Sequence, residues 1–186
     1  MPCQGVVAAG HELTVRAAET ILRDGGNAFD AILAAHFAAC VAEPVLASLG
    51  GGGFLIARPR DGEAVVYDFF AHTPRRKRAV DEHSFRPILA DYGTTPQEFH
   101  IGQGTIATPG SVAGIFAIHR DLGSMPLARI AAPAVGYARD GVTLCRVQAY
   151  NFSIVSPIYL ATPEAREIFC SDASQDRMLA EGETLR

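Results

Sequence analysis

Charged residues are scarce, 19% of a 186-residue sequence with a net charge of −4. Binding to nucleic acid or to an anionic membrane surface draws on an excess of Lys and Arg, so neither partner is expected. The single basic run, Arg75-Arg76-Lys77-Arg78, reads as a solvated loop. Cysteines number four (Cys3, Cys40, Cys145 and Cys170), with no C-x-x-C pair and no histidine at finger spacing. That pattern argues against a zinc site or a disulfide framework and fits a reducing, cytoplasmic setting. No charged segment followed by an apolar one opens the chain, so no secretory leader is expected; a leader removed beforehand would make the periplasm the alternative. Apolar character peaks from Ala28 to Ala42, broken only by Asp30 and His36, and falls short of the about eighteen residues a membrane span needs. No G-K-[ST] motif is present, and a strand follows the glycine run where a phosphate cradle would need a helix. Neither a nucleotide, a metal nor any other cofactor is expected.

What the sequence does hold is apolar material, 48% of its residues, enough for a large core and more than a disordered chain would carry. It is expected to form one domain. The run Gly5 to Ala9 suits a central strand. From His11 to Asp24 the apolar positions Leu13, Ala17, Ala18, Ile21 and Leu22 recur at helical spacing, with Arg16, Glu19, Thr20 and Arg23 on the other face. Gly25-Gly26 ends that helix, and Asn27 is placed to cap the next. The second helix, from Ala28, is apolar nearly all round and must therefore be covered on most sides, His36 included as a satisfied core residue.

Four consecutive glycines follow Leu49: Gly50, Gly51, Gly52 and Gly53. Such a run means that backbone approaches something closely or adopts positive φ, where any Cβ would interfere. Phe54 to Ala57 and Ala64 to Phe70 then read as paired strands across the Asp61-Gly62 turn. Between Arg75 and Gly104 the pattern dissolves into a long loop, with Thr94-Thr95 in a surface turn. Thr105 to Thr108 suits a third strand, Ser111 to Leu122 a helix stopped by Gly123, and Pro126 to Asp140 a further helix that Pro133 is expected to divide. His119 is expected to be exposed. Helical spacing returns from Val147 to Phe169, with Thr162-Pro163 as a cap. Beyond Phe169 no closing element is legible.

The stretch from His11 to Ala31, Glu43-Pro44, Leu49 to Leu55, Asp68-Phe69, Thr73-Pro74, Ala107 to Gly114 and Ala132 to Gly141 together resemble the N-terminal part of the large subunit of the gamma-glutamyltranspeptidase family. The resemblance implies an α+β, N-terminal nucleophile hydrolase-like αββα fold, here a helix-rich and incomplete segment spanning residues 1–186. It implies an autoprocessed enzyme of glutathione metabolism, an acyltransferase or hydrolase acting on a small-molecule amide through an acyl-threonine whose α-amine serves as base. In the family that threonine and the oxyanion-hole glycines open the small subunit, so no catalytic residue is expected within this sequence. The expected partners are the remainder of the large subunit and the small subunit, and uncovered apolar surface makes self-association an expectation as well. The 186-residue chain alone is expected to be inactive; the competing reading is a non-catalytic homologue or an assembly module.

One departure from the family stands out. After Asp-Phe the family carries an arginine, which grips the α-carboxylate of the γ-glutamyl group, and then a glutamate; the matching positions here are Phe70 and Ala71. An aromatic ring cannot replace a planar two-pronged cation. Three readings follow: the acyl preference has moved toward an apolar group stacked on Phe69 or Phe70, Arg75 or Arg76 supplies the missing cation, or Phe70 simply packs in the core. Phe70, Ala71, His72, Arg75 and Arg76 are thus the candidate substrate-binding residues, with Gly50, Gly51, Gly52 and Gly53 shaping the wall beside them.

Overall fold

The computed structural model describes residues 5–171 and 175–186, arranged as two compact units. One runs to His72 and resumes over Thr108–Asp140; the other comprises Thr73–Ala107 and Gly141–Arg186.

In the first unit, helices α1 (Glu12–Arg23) and α2 (Ala28–Ala42) form the expected hairpin. The Asn27 side chain accepts from the backbone N–H groups of Phe29 and Asp30, while the Asp30 carboxylate accepts from Asn27 N, a reciprocal cap at the start of α2. Helices α3 (Ser111–Leu122) and α4 (Leu127–Asp140) also pack on α2. Alanines at 17, 18, 31, 34, 35 and 38 let these helices approach closely, and Ile21, Leu33, Ile115, Ile118 and Ile130 fill what remains. Pro133 does not divide α4: it removes one N–H from the ladder, while Ile130 and Ala134 on either side of it are buried and hold the adjacent turns in place.

A two-stranded antiparallel ribbon completes this unit, β1 (Phe54–Ala57) paired with β2 (Val65–Asp68), Phe54 opposite Asp68 and Ile56 opposite Val66. Alternation sends Leu55, Tyr67 and Phe69 onto the helical core. Phe54, Ile56, Val66 and Phe70 point the other way and are 62%, 75%, 61% and 53% exposed. The expected strand at Gly5 to Ala9 does not form; Val7 packs on the core and Val6 faces out, so the run is covered on one side only. Thr105 to Thr108 yields a single bridge, Thr108 with His72, after a short 3-10 turn over Gln103–Thr105.

The second unit holds the antiparallel hairpin of β3 (Arg86–Asp91) and β4 (Pro96–Ile101) inside the stretch expected to be loop. Pro87 and Pro96 disguise it in the sequence, yet a two-stranded ribbon consists of edges only, where proline is tolerated. Thr94-Thr95 lies in its turn, with Tyr92 N donating to Thr95 O at 3.3 Å. Arg75, Arg76, Lys77 and Arg78 are exposed, as expected. Strand β5 (Val142–Thr143) precedes helix α5 (Arg146–Tyr159), which packs on β3, and α6 (Pro163–Phe169) starts at Thr162, whose hydroxyl accepts from Ala165 N. The polar tail does have a closing element: β6 (Thr184–Leu185) returns to pair with β5, and Arg177 binds Glu183 through both guanidinium nitrogens at 2.8 and 2.9 Å. Among the described residues no helix is long and apolar enough to cross a membrane.

Candidate functional site

The glycine run connects α2 to the ribbon and does three structural jobs in sequence. The Gly51 carbonyl accepts from the N–H groups of Gly110 and Ser111 at 2.9 and 3.1 Å, satisfying donors at the start of α3 that no side chain caps. Gly53 exchanges both backbone hydrogen bonds with Phe69, extending the ribbon by one pair. Gly52 lies so close to the opposite strand that a Cβ there would stand 2.8 Å from the Phe69 carbonyl oxygen. None of the four glycines has positive φ, so close approach rather than a left-handed backbone explains the run.

Phe69 is the side chain around which this region closes. Its ring meets His36 of α2 edge-on, centroids 6.4 Å apart at 77°. A Cβ on Gly114 of α3 would run into the Phe69 ring, so that glycine lets the helix lie against the aromatic. Phe69 and Phe70 therefore have opposite roles, because adjacent residues of a strand face opposite sides. Of the two aromatics considered for an acyl group, Phe69 is partly buried against the core, while Phe70 is presented to solvent. The reading that Phe70 packs in the core is overturned by its exposure. Its ring stacks on that of Phe54, centroids 5.3 Å apart and 13° from parallel. Sequence reasoning missed Phe54, although its place in the register beside Phe70 follows from the hairpin pairing.

Ala71 is partly covered, and His72 is exposed, tied by its backbone to Thr108 at 3.0 and 2.7 Å. Phe70, Ala71 and His72 sit in the first unit with the glycine run, whereas Arg75 and Arg76 belong to the second.

At the glycine run lies a cleft of about 350 Å³, bordered by His36, residues 44–48, Gly51 to Gly53, Phe54 and Phe69. His36 is not the satisfied core histidine the sequence suggested: its Nε2 is buried with no hydrogen-bond partner. Burial pushes its pKa down, so the ring is held neutral. His119 also departs from expectation, half-buried with Nε2 donating to the Met125 carbonyl at 2.7 Å. Neighbouring α1 is locked to the end of α2 by Thr14, whose hydroxyl donates to Glu43 at 2.9 Å.

The sequence model of the gamma-glutamyltranspeptidase family matches residues 14–186. The chain belongs to that family. Its relatives include the glutathione hydrolase proenzyme of Escherichia coli, 34% identical over 142 residues, or 74% of this chain and 23% of that protein. The acylase ACY 1 proenzyme of a Pseudomonas species (strain V22) is 35% identical over 139 residues, covering 74% of this chain and 25% of that one. In structure, the gamma-glutamyltranspeptidase of Helicobacter pylori superposes with a TM-score of 0.78 at 24% identity, over 97% of this chain and 50% of that chain. The fold is thus one that gamma-glutamyltranspeptidase and acylase structures share, helix-rich with small sheets. This family member spans about a quarter of the length of the curated relatives it matches.

Proposed function

We propose that these residues build the pocket wall of an amide-cleaving acyltransferase or hydrolase of the gamma-glutamyltranspeptidase kind. The nucleophile is a threonine outside the 186 residues, activated by its own α-amine. Membership of the family supports the reaction class, and the proenzyme names of the relatives support a maturation step. A second polypeptide carrying the nucleophile is the partner this reading requires. The outward row of Phe54, Ile56, Val66 and Phe70 supports one, since a contiguous apolar face of this kind is rarely left in water.

The acyl group is apolar or flat rather than γ-glutamyl. The observation that carries this is the half-exposed Phe70 stacked on Phe54, an aromatic surface at the position where the family holds its carboxylate-binding arginine. His72, exposed two residues on, is the donor that this reading assigns to a substrate oxygen. The test compares hydrolysis of phenylacetyl and γ-glutamyl anilides by the mature enzyme and its Phe70→Arg variant. A preference for the phenylacetyl substrate, with γ-glutamyl turnover raised about 10-fold or more by arginine, supports the reading; a charge-assisted carboxylate pair is worth roughly 1.5–3 kcal/mol. Efficient γ-glutamyl turnover by the unaltered enzyme, unimproved by arginine, defeats it.

A further inference from the structure

Two buried side-chain polar atoms among the described residues lack any hydrogen-bond partner, His36 Nε2 and Ser111 Oγ. Folded interiors seldom leave such atoms unpaired, and each exception asks for a cause. Both lie at the glycine run. His36 borders the cleft at the glycine run together with Gly51, and a Cβ on Gly51 would stand 3.9 Å from Ser111 Oγ. Ser111 is wholly buried. Two orphaned groups on different helices thus lie along one stretch of backbone, and of the two His36 borders the cavity.

The rest of the lining defines what the cavity would accept. Leu46, Val45, Phe54 and Phe69 give it an apolar body, Ser48 and the glycine backbone are its other polar features, and no Asp, Glu, Lys or Arg borders it. With its ring neutral, His36 offers one nitrogen that accepts and one that donates. A charged ligand would be desolvated there with no counter-charge. At about 350 Å³ the cleft is at the small end of the range for ligand pockets.

We propose that this cleft is a binding site for a small, neutral ligand with a flat apolar body and a single hydrogen-bonding head of the carboxamide or alcohol type, captured by His36. Because Nε2 is buried, capture includes a turn of the imidazole about its side-chain bonds into the space its other atoms already border. The body of the ligand lies against Phe69 and Leu46. The site meets the outward Phe54–Phe70 surface at Phe54, which borders both, and does not depend on acyl transfer.

Three probes of equal body and different head decide the matter on the full 186-residue chain: benzamide, toluene and benzoate. Binding is read from the ring ¹⁵N resonances of His36 during titration. Benzamide is expected to shift the Nε2 resonance saturably, with toluene and benzoate at least 10-fold weaker, and His36→Leu is expected to weaken benzamide at least 10-fold. Should that variant fail to fold, His36→Gln replaces it, with benzamide binding retained at intermediate strength. Equal binding of all three probes, no saturable shift with benzamide, or an Nε2 resonance already hydrogen-bonded to an ordered water that benzamide does not displace would each overturn the proposal.

Discussion

The ring of Phe70 lies on that of Phe54, 5.3 Å between centroids and 13° from parallel, with both rings on the side of the ribbon turned away from the helical core. Ile56 and Val66, cross-strand partners, continue the same face. Four large apolar side chains in one row on a two-stranded ribbon are a surface that water does not favour.

The isolated 186-residue chain is therefore expected to self-associate in a concentration-dependent way. Replacing Ile56 by Thr and Val66 by Thr keeps β-branched side chains suited to strands while cutting apolar area, and should shift the chain toward monomer without lowering its unfolding midpoint greatly. Sedimentation velocity of both forms over a range of concentrations checks this; a monodisperse wild-type monomer throughout would count against it.

The same chain is expected to hydrolyse neither γ-glutamyl nor phenylacetyl anilides, because the nucleophile proposed for the reaction is not among its residues. Anilide release followed through successive purification steps should fall to background. Turnover that tracks with the purified chain would contradict the proposed division of labour.

Gly114→Ala poses a question of sign. On a solvent-facing helix the change would stabilise by about 1 kcal/mol, since alanine is the better helix former. Here the added methyl meets the Phe69 ring, and overpacking of a close contact costs about 1–3 kcal/mol. Packing wins, so the variant is expected to be less stable, by up to about 2 kcal/mol, in urea unfolding. An increase in stability would mean that Phe69 is free to move aside.

Much of this arrangement is legible in the sequence, for reasons that are local. Helical spacing places α1 and α2, and Asn27 after Gly25-Gly26 announces the cap between them, while the reciprocal part played by Asp30 emerges from the structure. Asp61-Gly62 between apolar runs announces the β1–β2 hairpin. What escapes is non-local. The β3–β4 hairpin hides behind Pro87 and Pro96, because proline content is a fair guide to central strands and a poor one to a ribbon that has only edges. The return of Thr184–Leu185 to β5 depends on a partner some forty residues earlier in the chain. Phe69 and Phe70 look interchangeable until the register with Gly53 assigns one to each face. The unpaired His36 nitrogen depends on what surrounds it in space, and nothing in the spacing of α2 distinguishes it from a satisfied histidine.

Thiol chemistry offers a check on burial. Burial pushes the Cys40 pKa up to about 11. At pH 8 only about one thiol in a thousand would be the reactive thiolate. Cys145 is exposed. Iodoacetamide at pH 8 followed by peptide mass analysis is expected to label Cys145 well ahead of Cys40. Comparable labelling of the two in the folded chain would mean that α2 opens readily.

Asp30 ties the start of α2 to the turn between α3 and α4. Its carboxylate accepts from Asn27 N and Ser124 N, both at 3.0 Å, from the Ser124 hydroxyl at 2.5 Å and from Met125 N at 3.4 Å, while the Asn27 amide donates to Leu122 O at 2.8 Å. Burial raises the pKa of this group, but the bonds from Ser124, Asn27 and Met125 outweigh that and hold it below the ordinary carboxylate value. A depressed folded-state pKa means that the carboxylate's stabilisation is present above the unfolded-state value, near 4, and is lost as pH falls through the lower folded-state value. Asp30→Asn removes that dependence and leaves donors facing an amide. The variant is expected to lose about 1.5–3 kcal/mol at pH 7, the scale of hydrogen bonds to a charged group. Its deficit against wild type should shrink as pH is lowered through the unfolded-state value and on through the lower folded-state one, where the wild-type carboxylate itself becomes protonated. Urea midpoints of the two forms across that interval measure the effect, and a deficit that stays constant would show that the charge of Asp30 contributes nothing beyond its shape.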